Sequence, residues 1–167
     1  MNTVEIDGKK FYTALSKEVA QQQYDEIFKV EEYKAGRRKR GMVVVDAGAC
    51  MGLASLYFKD WAKKIYALEP SSEHYQSLLL NTRDYPNIEV FNLGLSALTE
   101  EEPLFSNEPT LVPESLFGRG PNKEMVKMVT LEKFMEDQGI ERIDLLKFDT
   151  EGAEFGVFPS SPFRRIA

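Results

Sequence analysis

A chain of 167 residues, 43% of them hydrophobic, fits one domain spanning residues 1–167 with a core of its own. Lysine and arginine number 21 against 27 aspartates and glutamates, and the net charge of −6 argues against a general nucleic-acid binder and leaves a small molecule as the expected partner. The single cysteine, Cys50, excludes an intrachain disulfide and a thiolate metal cluster; no metal is expected, and no apolar run approaches membrane-spanning length.

Residues 1–40 read as an N-terminal helical segment. It opens with MNTVEIDGKK, which has no apolar targeting core, so the cytoplasm is the expected location. It closes in the basic cluster GRRKRG, Gly36 to Gly41, read as a solvated loop. Met42 to Val45 then form an apolar run with no polar partner, the pattern of a central parallel strand buried on both faces. Asp46, Gly48, Ala49 and Gly52 occupy the strand end and the turn that follows. Glycine there allows both a sharp turn and a close ligand approach. Leu53, Leu56, Tyr57 and Trp61, near helical spacing, mark the next helix, whose N-terminus can face an anionic group.

Spacing selects among cofactors. A dinucleotide turn needs G-x-G-x-x-G, but the three places hold Asp46, Gly48 and Met51, which disfavours an NAD-dependent oxidoreductase. The phosphate loop G-x-x-x-x-G-K-[ST] fails as well, because Leu53 and Ala54 follow Gly52. An acid followed by two glycines, D-x-G-x-x-x-G, resembles the first motif of class I S-adenosylmethionine methyltransferases. The second strand, KIYALEP, ends in Glu69, whose carboxylate can accept two hydrogen bonds from a ribose diol. Pro70, Ser71 and Ser72 start a helix with Tyr75, Leu78 and Leu79 on one face and His74 at its surface.

A third strand is expected from Asn87 to Ser96, turning at Gly94, with Leu93 and Leu95 either flanking an adenine ring or serving as core leucines. Residues 97–128 form a variable, acidic and proline-rich loop with possible short strands at Leu104–Phe105 and Met125–Val129. Thr130 caps a helix that turns Leu131, Phe134 and Met135 inward and ends at Gly139. In the fourth strand, Lys147 shares a face with Leu145 and Asp149. A lysine in a buried strand needs a partner or a polar cleft, so Lys147 and Asp149 form either a structural ion pair or a catalytic pair. Glu151 lies just beyond.

Taken in order, DAGACMG, ALEP, the LGLS turn, VTLEKF and DLLKFDTEGAE resemble the FkbM family of S-adenosylmethionine-dependent methyltransferases, from about residue 24 to residue 158. The resemblance implies an α/β, Rossmann-like class I methyltransferase fold, a three-layer sandwich around a mostly parallel sheet. It also implies methylation of a hydroxyl oxygen on a sugar or small natural product. Asp46, Gly48, Ala49 and Gly52 would then hold the methionine end of S-adenosylmethionine, with Glu69 and Pro70 at the ribose and Gly94 and Leu95 near the adenine. Lys147, Asp149 and Glu151 would line the reaction site, the two acids as candidate bases and the lysine orienting a carboxylate or developing charge. The family's sheet continues beyond the fourth strand, whereas this sequence stops at FPSSPFRRIA. The expectation is therefore a sheet truncated after that strand, with an edge open to homodimerisation. A non-catalytic S-adenosylmethionine-binding or interaction module is the alternative function.

Overall fold

The computed structural model describes residues 1–30, 33, 39–106 and 122–149, the side chains of 106, 122 and 123 excepted. The first strands, β1 (Asn2–Ile6) and β2 (Lys9–Thr13), form an antiparallel hairpin. The cause is local: Asp7 and Gly8 both take left-handed backbone, with φ of 50° and 71°, as a two-residue Asp-Gly turn requires. Alternation along the two strands then buries Val4, Ile6, Phe11 and Thr13. The helical segment expected over residues 1–40 is thus corrected for residues 2–13, where period-two burial and the turn override it. Helix α1 (Lys17–Tyr24) starts only after Ser16, whose hydroxyl accepts the Val19 N–H, and runs on as one π-helical turn, Asp25–Lys29. Phe11, Tyr24 and Phe28 tie the hairpin to this helix, with ring centroids 5.9 and 4.6 Å apart.

The main sheet is built from β3 (Met42–Ala47), α2 (Leu53–Phe58), β4 (Ala62–Leu68), α3 (Ser72–Thr82) and β5 (Ile88–Phe91). Next come β6 (Gly94–Leu95), β7 (Glu101–Ser106), β8 (Asn122–Val129), helix α4 (Leu131–Asp137) and β9 (Leu145–Phe148). Strands β5, β4, β3 and β9 lie side by side in that order, and all neighbours are parallel. Alternation on β3 divides the core. Val44 faces a layer that includes Met51, Leu53, Phe58 and Ile65, whereas Val45 and Ala47 face Leu131, Phe134, Met135 and Ile143. Burying Phe58 and Phe134 favours folding by roughly 1.5–3 kcal/mol each.

The expected third strand is split in two. After β5 the chain leaves the main sheet, and β6 instead pairs parallel with β8 in a second sheet, where β7 lies antiparallel to β8. Asn92 sits at the break, its amide donating to the carbonyls of Glu69 (3.0 Å) and Pro70 (2.9 Å). The two short strands expected in the variable loop exist and are longer than foreseen, while the loop's tip lies outside the described residues. Thr130 caps α4 by accepting the Lys133 N–H, and Gly139 follows with φ of 63°.

β9 borders the described sheet. Residues 150–167, on which the expectations of a truncated sheet and of a dimer edge depend, lie outside the described residues. Among the described residues, no helix is long and apolar enough to cross a membrane.

Candidate active site

The turn after β3 is held in shape by three left-handed residues, Gly48 (φ 74°), Cys50 (φ 51°) and Gly52 (φ 89°). A non-glycine residue in that region is strained, and such strain persists only where its surroundings impose it. Here the surroundings are the ends of neighbouring strands. Both Gly48 N–H and Ala49 N–H donate to the Leu68 carbonyl at 3.0 Å, and Cys50 N–H donates to Glu69 Oε2 at 2.8 Å. Gly52 has a different reason to be glycine. A Cβ there would lie 2.8 Å from Leu78 Cδ1 and 3.2 Å from Thr82 Cγ2, so α3 presses on this position.

Glu69 ends β4 and is buried, with Oε1 accepting the Ser71 N–H at 3.0 Å. Its carboxylate joins the glycine turn to the start of α3. Ser71 caps that helix by accepting the His74 N–H. Gly94 packs against Met128 and Pro70; a Cβ there would meet Met128 Sδ and Cε at 2.8 Å. Leu95 is fully buried in the core layer of Val129 and Leu131. Of the two roles open to Leu95, core packing is the one its surroundings display.

On the other side of the turn, β3 and β9 align Asp46 with Lys147. Lys147 Nζ donates to the Gly48 carbonyl at 2.7 Å, lies 3.1 Å from Asp46 Oδ1 and 3.8 Å from Asp149 Oδ2. Ser55 Oγ donates to the other Asp46 oxygen at 2.7 Å, and Asp46 is wholly inaccessible. Burial works against the Lys147 ammonium, but the negative charges of Asp46 and Asp149 outweigh it and lift the amine above the ordinary lysine range. It stays charged at neutral pH and cannot serve there as a base. The expected pair of Lys147 and Asp149 therefore exists, but Asp46 is the closer partner.

These groups open onto a cavity of about 350 Å³, at the small end of the range for ligand sites. Gly48, Ala49 and Cys50 form its floor, Lys147 and Asp149 one side, and Gln22, Glu26 and Ile27 of the N-terminal helix and π turn the other. Asp46, Gly52, Glu69, Pro70, Gly94 and Leu95 are not among its lining residues. Asp46 and Glu69 reach it only through the backbone they hold. Glu151 lies outside the described residues.

Sequence reasoning missed three contributors. Asp46 as the lysine's partner follows from strand register, which a linear sequence does not display. Ser55 left one trace, a polar residue in the otherwise apolar helix LASLYF. Asn81 left none, yet it accepts the Tyr12 N–H and donates to the carbonyls of Tyr12 and Met51, each at 2.8 Å.

Residues 46–166 match the family model described as the methyltransferase FkbM domain. The methyltransferase sdnD of Sordaria araneosa is 35% identical, over 92% of this chain and 73% of its own length. The AMB antimetabolite synthetase AmbE of Pseudomonas aeruginosa is 28% identical over 80% of this chain, which spans only 8% of that protein. Among solved structures, Trm5b from Pyrococcus abyssi aligns with 59% of this chain and 33% of its own at 16% identity, with a TM-score of 0.38.

Proposed function

Because the chain belongs to the FkbM methyltransferase domain family, whose members are S-adenosylmethionine-dependent methyltransferases, we propose that it methylates a hydroxyl oxygen of a sugar or other small natural product. The observation that carries this reading is the cavity, onto which the glycine turn, Lys147 and Asp149 all open. Its chemistry suits the cofactor. S-adenosylmethionine carries a positive sulfonium and an ammonium group, and Glu26 and Asp149 at the cavity wall, with the charge of Lys147 offset by Asp46, leave an acidic surface toward them.

When bound, S-adenosylmethionine supplies an electrophilic methyl group and departs as the neutral thioether. The chain's own contribution is alignment and the handling of one proton. The Gly48 to Cys50 backbone binds the methionine end, and Glu69, its direction fixed by the Cys50 and Ser71 N–H groups, binds the ribose. The wall formed by α1 and the π turn excludes water. The acceptor oxygen forms its bond to the methyl carbon as the carbon–sulfur bond breaks, its electron pair staying on sulfur. Asp149, with a side chain 63% exposed, takes the hydroxyl proton. Glu151 is proposed as a second base. Alignment supplies more of the acceleration than base strength does, since holding two reactants in attack geometry removes most of the entropic barrier.

A thermal-shift panel tests the cofactor. At ~100 times its dissociation constant a ligand stabilises the fold by about 2.7 kcal/mol, so S-adenosylmethionine and S-adenosylhomocysteine should raise the melting temperature and NAD should not. The Glu69→Ala protein should respond less. Methyl transfer to a panel of neutral sugars and polyols then tests the reaction. A shift with NAD, or none with either methionine ligand, overturns the proposal. Binding without transfer to any acceptor favours the non-catalytic module.

A further inference from the structure

We propose that Lys147 is a positioning residue that sets the shape of the cofactor turn, rather than a group acting on the reacting atoms; this rests on the S-adenosylmethionine reading above. The Gly48–Ala49 peptide is the centre of the argument. Its N–H is held by the Leu68 carbonyl on β4 at 3.0 Å, and its carbonyl oxygen by Lys147 Nζ on β9 at 2.7 Å. One peptide plane at the floor of the cavity is thus pinned from both neighbouring strands. Gly48 has φ of 74°, and glycine crosses between backbone regions more easily than any other residue. Without the lysine, this plane is held on one side only.

Lys147 itself is fully engaged. An ammonium has three protons, and Gly48 O, Asp46 Oδ1 and Asp149 Oδ2 surround it at 2.7, 3.1 and 3.8 Å, with the side chain 8% exposed. Asp46 is fixed in turn by Ser55. The network reads as a bracket from β9 to the turn, and its influence on a ligand passes through the Gly48–Ala49 peptide.

Removing the lysine alone strands a buried carboxylate, so the test compares Asp46→Asn with the double variant Asp46→Asn/Lys147→Met, each first checked for a cooperative melt. Calorimetry then measures affinity for S-adenosylmethionine and for S-adenosylhomocysteine, which share the turn but differ at the sulfonium methyl. The double variant should bind both ligands at least tenfold more weakly than Asp46→Asn, while Lys147→Arg, which keeps a donor and the charge, stays within threefold of the parent. Equal affinity of the two asparagine variants overturns the proposal. So does a loss confined to S-adenosylmethionine, because only a group facing the transferring methyl makes that distinction. A parent protein that binds neither ligand defeats the cofactor reading itself and this proposal with it. If the double variant does not fold, the carbonyl carbon resonance of Gly48 in carbon-13-labelled parent and Lys147→Arg proteins decides. A changed hydrogen bond shifts it, and identical resonances overturn the bracket.

Discussion

Replacing Asn81 by alanine removes a side chain that no motif marks but that ties three parts of the molecule together. Its amide bonds both the N–H and the carbonyl of Tyr12 on β2, and the carbonyl of Met51 in the glycine turn, each at 2.8 Å. Each neutral hydrogen bond contributes about 0.5–1.5 kcal/mol net, so three partly buried ones come to roughly 3 kcal/mol. In a chain of this size that lowers the melting temperature by about 6–12 °C, at roughly 2–4 °C per kcal/mol. Urea unfolding of the parent and of Asn81→Ala measures the difference directly. Asn81→Asp sharpens the comparison. It keeps the shape but points a carboxylate oxygen at two carbonyls where a donor is needed, so it should destabilise at least as much as alanine. The hairpin leads into α1, one wall of the cavity, so the thermal shift produced by S-adenosylmethionine should also shrink in both variants. An Asn81→Ala protein within about 0.5 kcal/mol of the parent would refute the view that these bonds hold the hairpin to the turn.

Gly52→Ala should cost about 3 kcal/mol in urea unfolding, combining left-handed strain with a Cβ pressed against Leu78 and Thr82; a neutral effect would mean that α3 yields freely. Lys147→Met, which leaves Asp46 buried without its cation, should lose about 3–5 kcal/mol, and adding Asp46→Asn should recover most of it; a stable single variant contradicts the ion-pair reading. The pH dependence has a defined sign. The folded-state value of Lys147 lies above the unfolded value of about 10.4, so its contribution is complete below about pH 10 and is lost as pH rises through the folded value. The difference in urea midpoint between the parent and Lys147→Met/Asp46→Asn should therefore be constant from about pH 7 to pH 9 and shrink by about pH 11, and an earlier decline contradicts it.

Much of the architecture was legible from one-dimensional pattern. Met42 to Val45 read as a buried central strand, and β3 is flanked on both sides by parallel neighbours. Thr130, Leu131, Phe134, Met135 and Gly139 describe α4 from cap to stop, because helix ends are local chemistry. The N-terminal hairpin was misread even though Asp7-Gly8 between alternating apolar residues was visible, since the segment was treated as a single helical unit. The split at Asn92 was out of reach. Whether the chain after Phe91 continues along β4 or leaves to pair with β8 depends on a strand some thirty residues later. The site shows the same division. Asp46, Gly48, Glu69 and Lys147 were all picked out by type and spacing, but the partner of each is across a strand boundary, and register decides it.

That register changes what the charged residues are for. Each peptide group of the turn for which a polar partner has been described here is bonded to a strand end: Gly48 and Ala49 N–H to Leu68 on β4, Cys50 N–H to Glu69, and the Gly48 carbonyl to Lys147 on β9. Glu69 and Lys147 thus grip the turn from opposite sides, and Asp46 with Ser55 holds the lysine in place. A turn with two glycines and a strained cysteine needs such support, because glycine leaves its conformation cheap to change. Three of the four conspicuous charges, Asp46, Glu69 and Lys147, are buried and committed to backbone or to each other. Asp149 alone of the four is largely exposed, at the cavity wall, and an exposed carboxylate is free to reorient toward an acceptor as the buried ones are not. The division of labour follows from burial: the inaccessible charges build the platform on which a cofactor lies, and the accessible one is left for the proton.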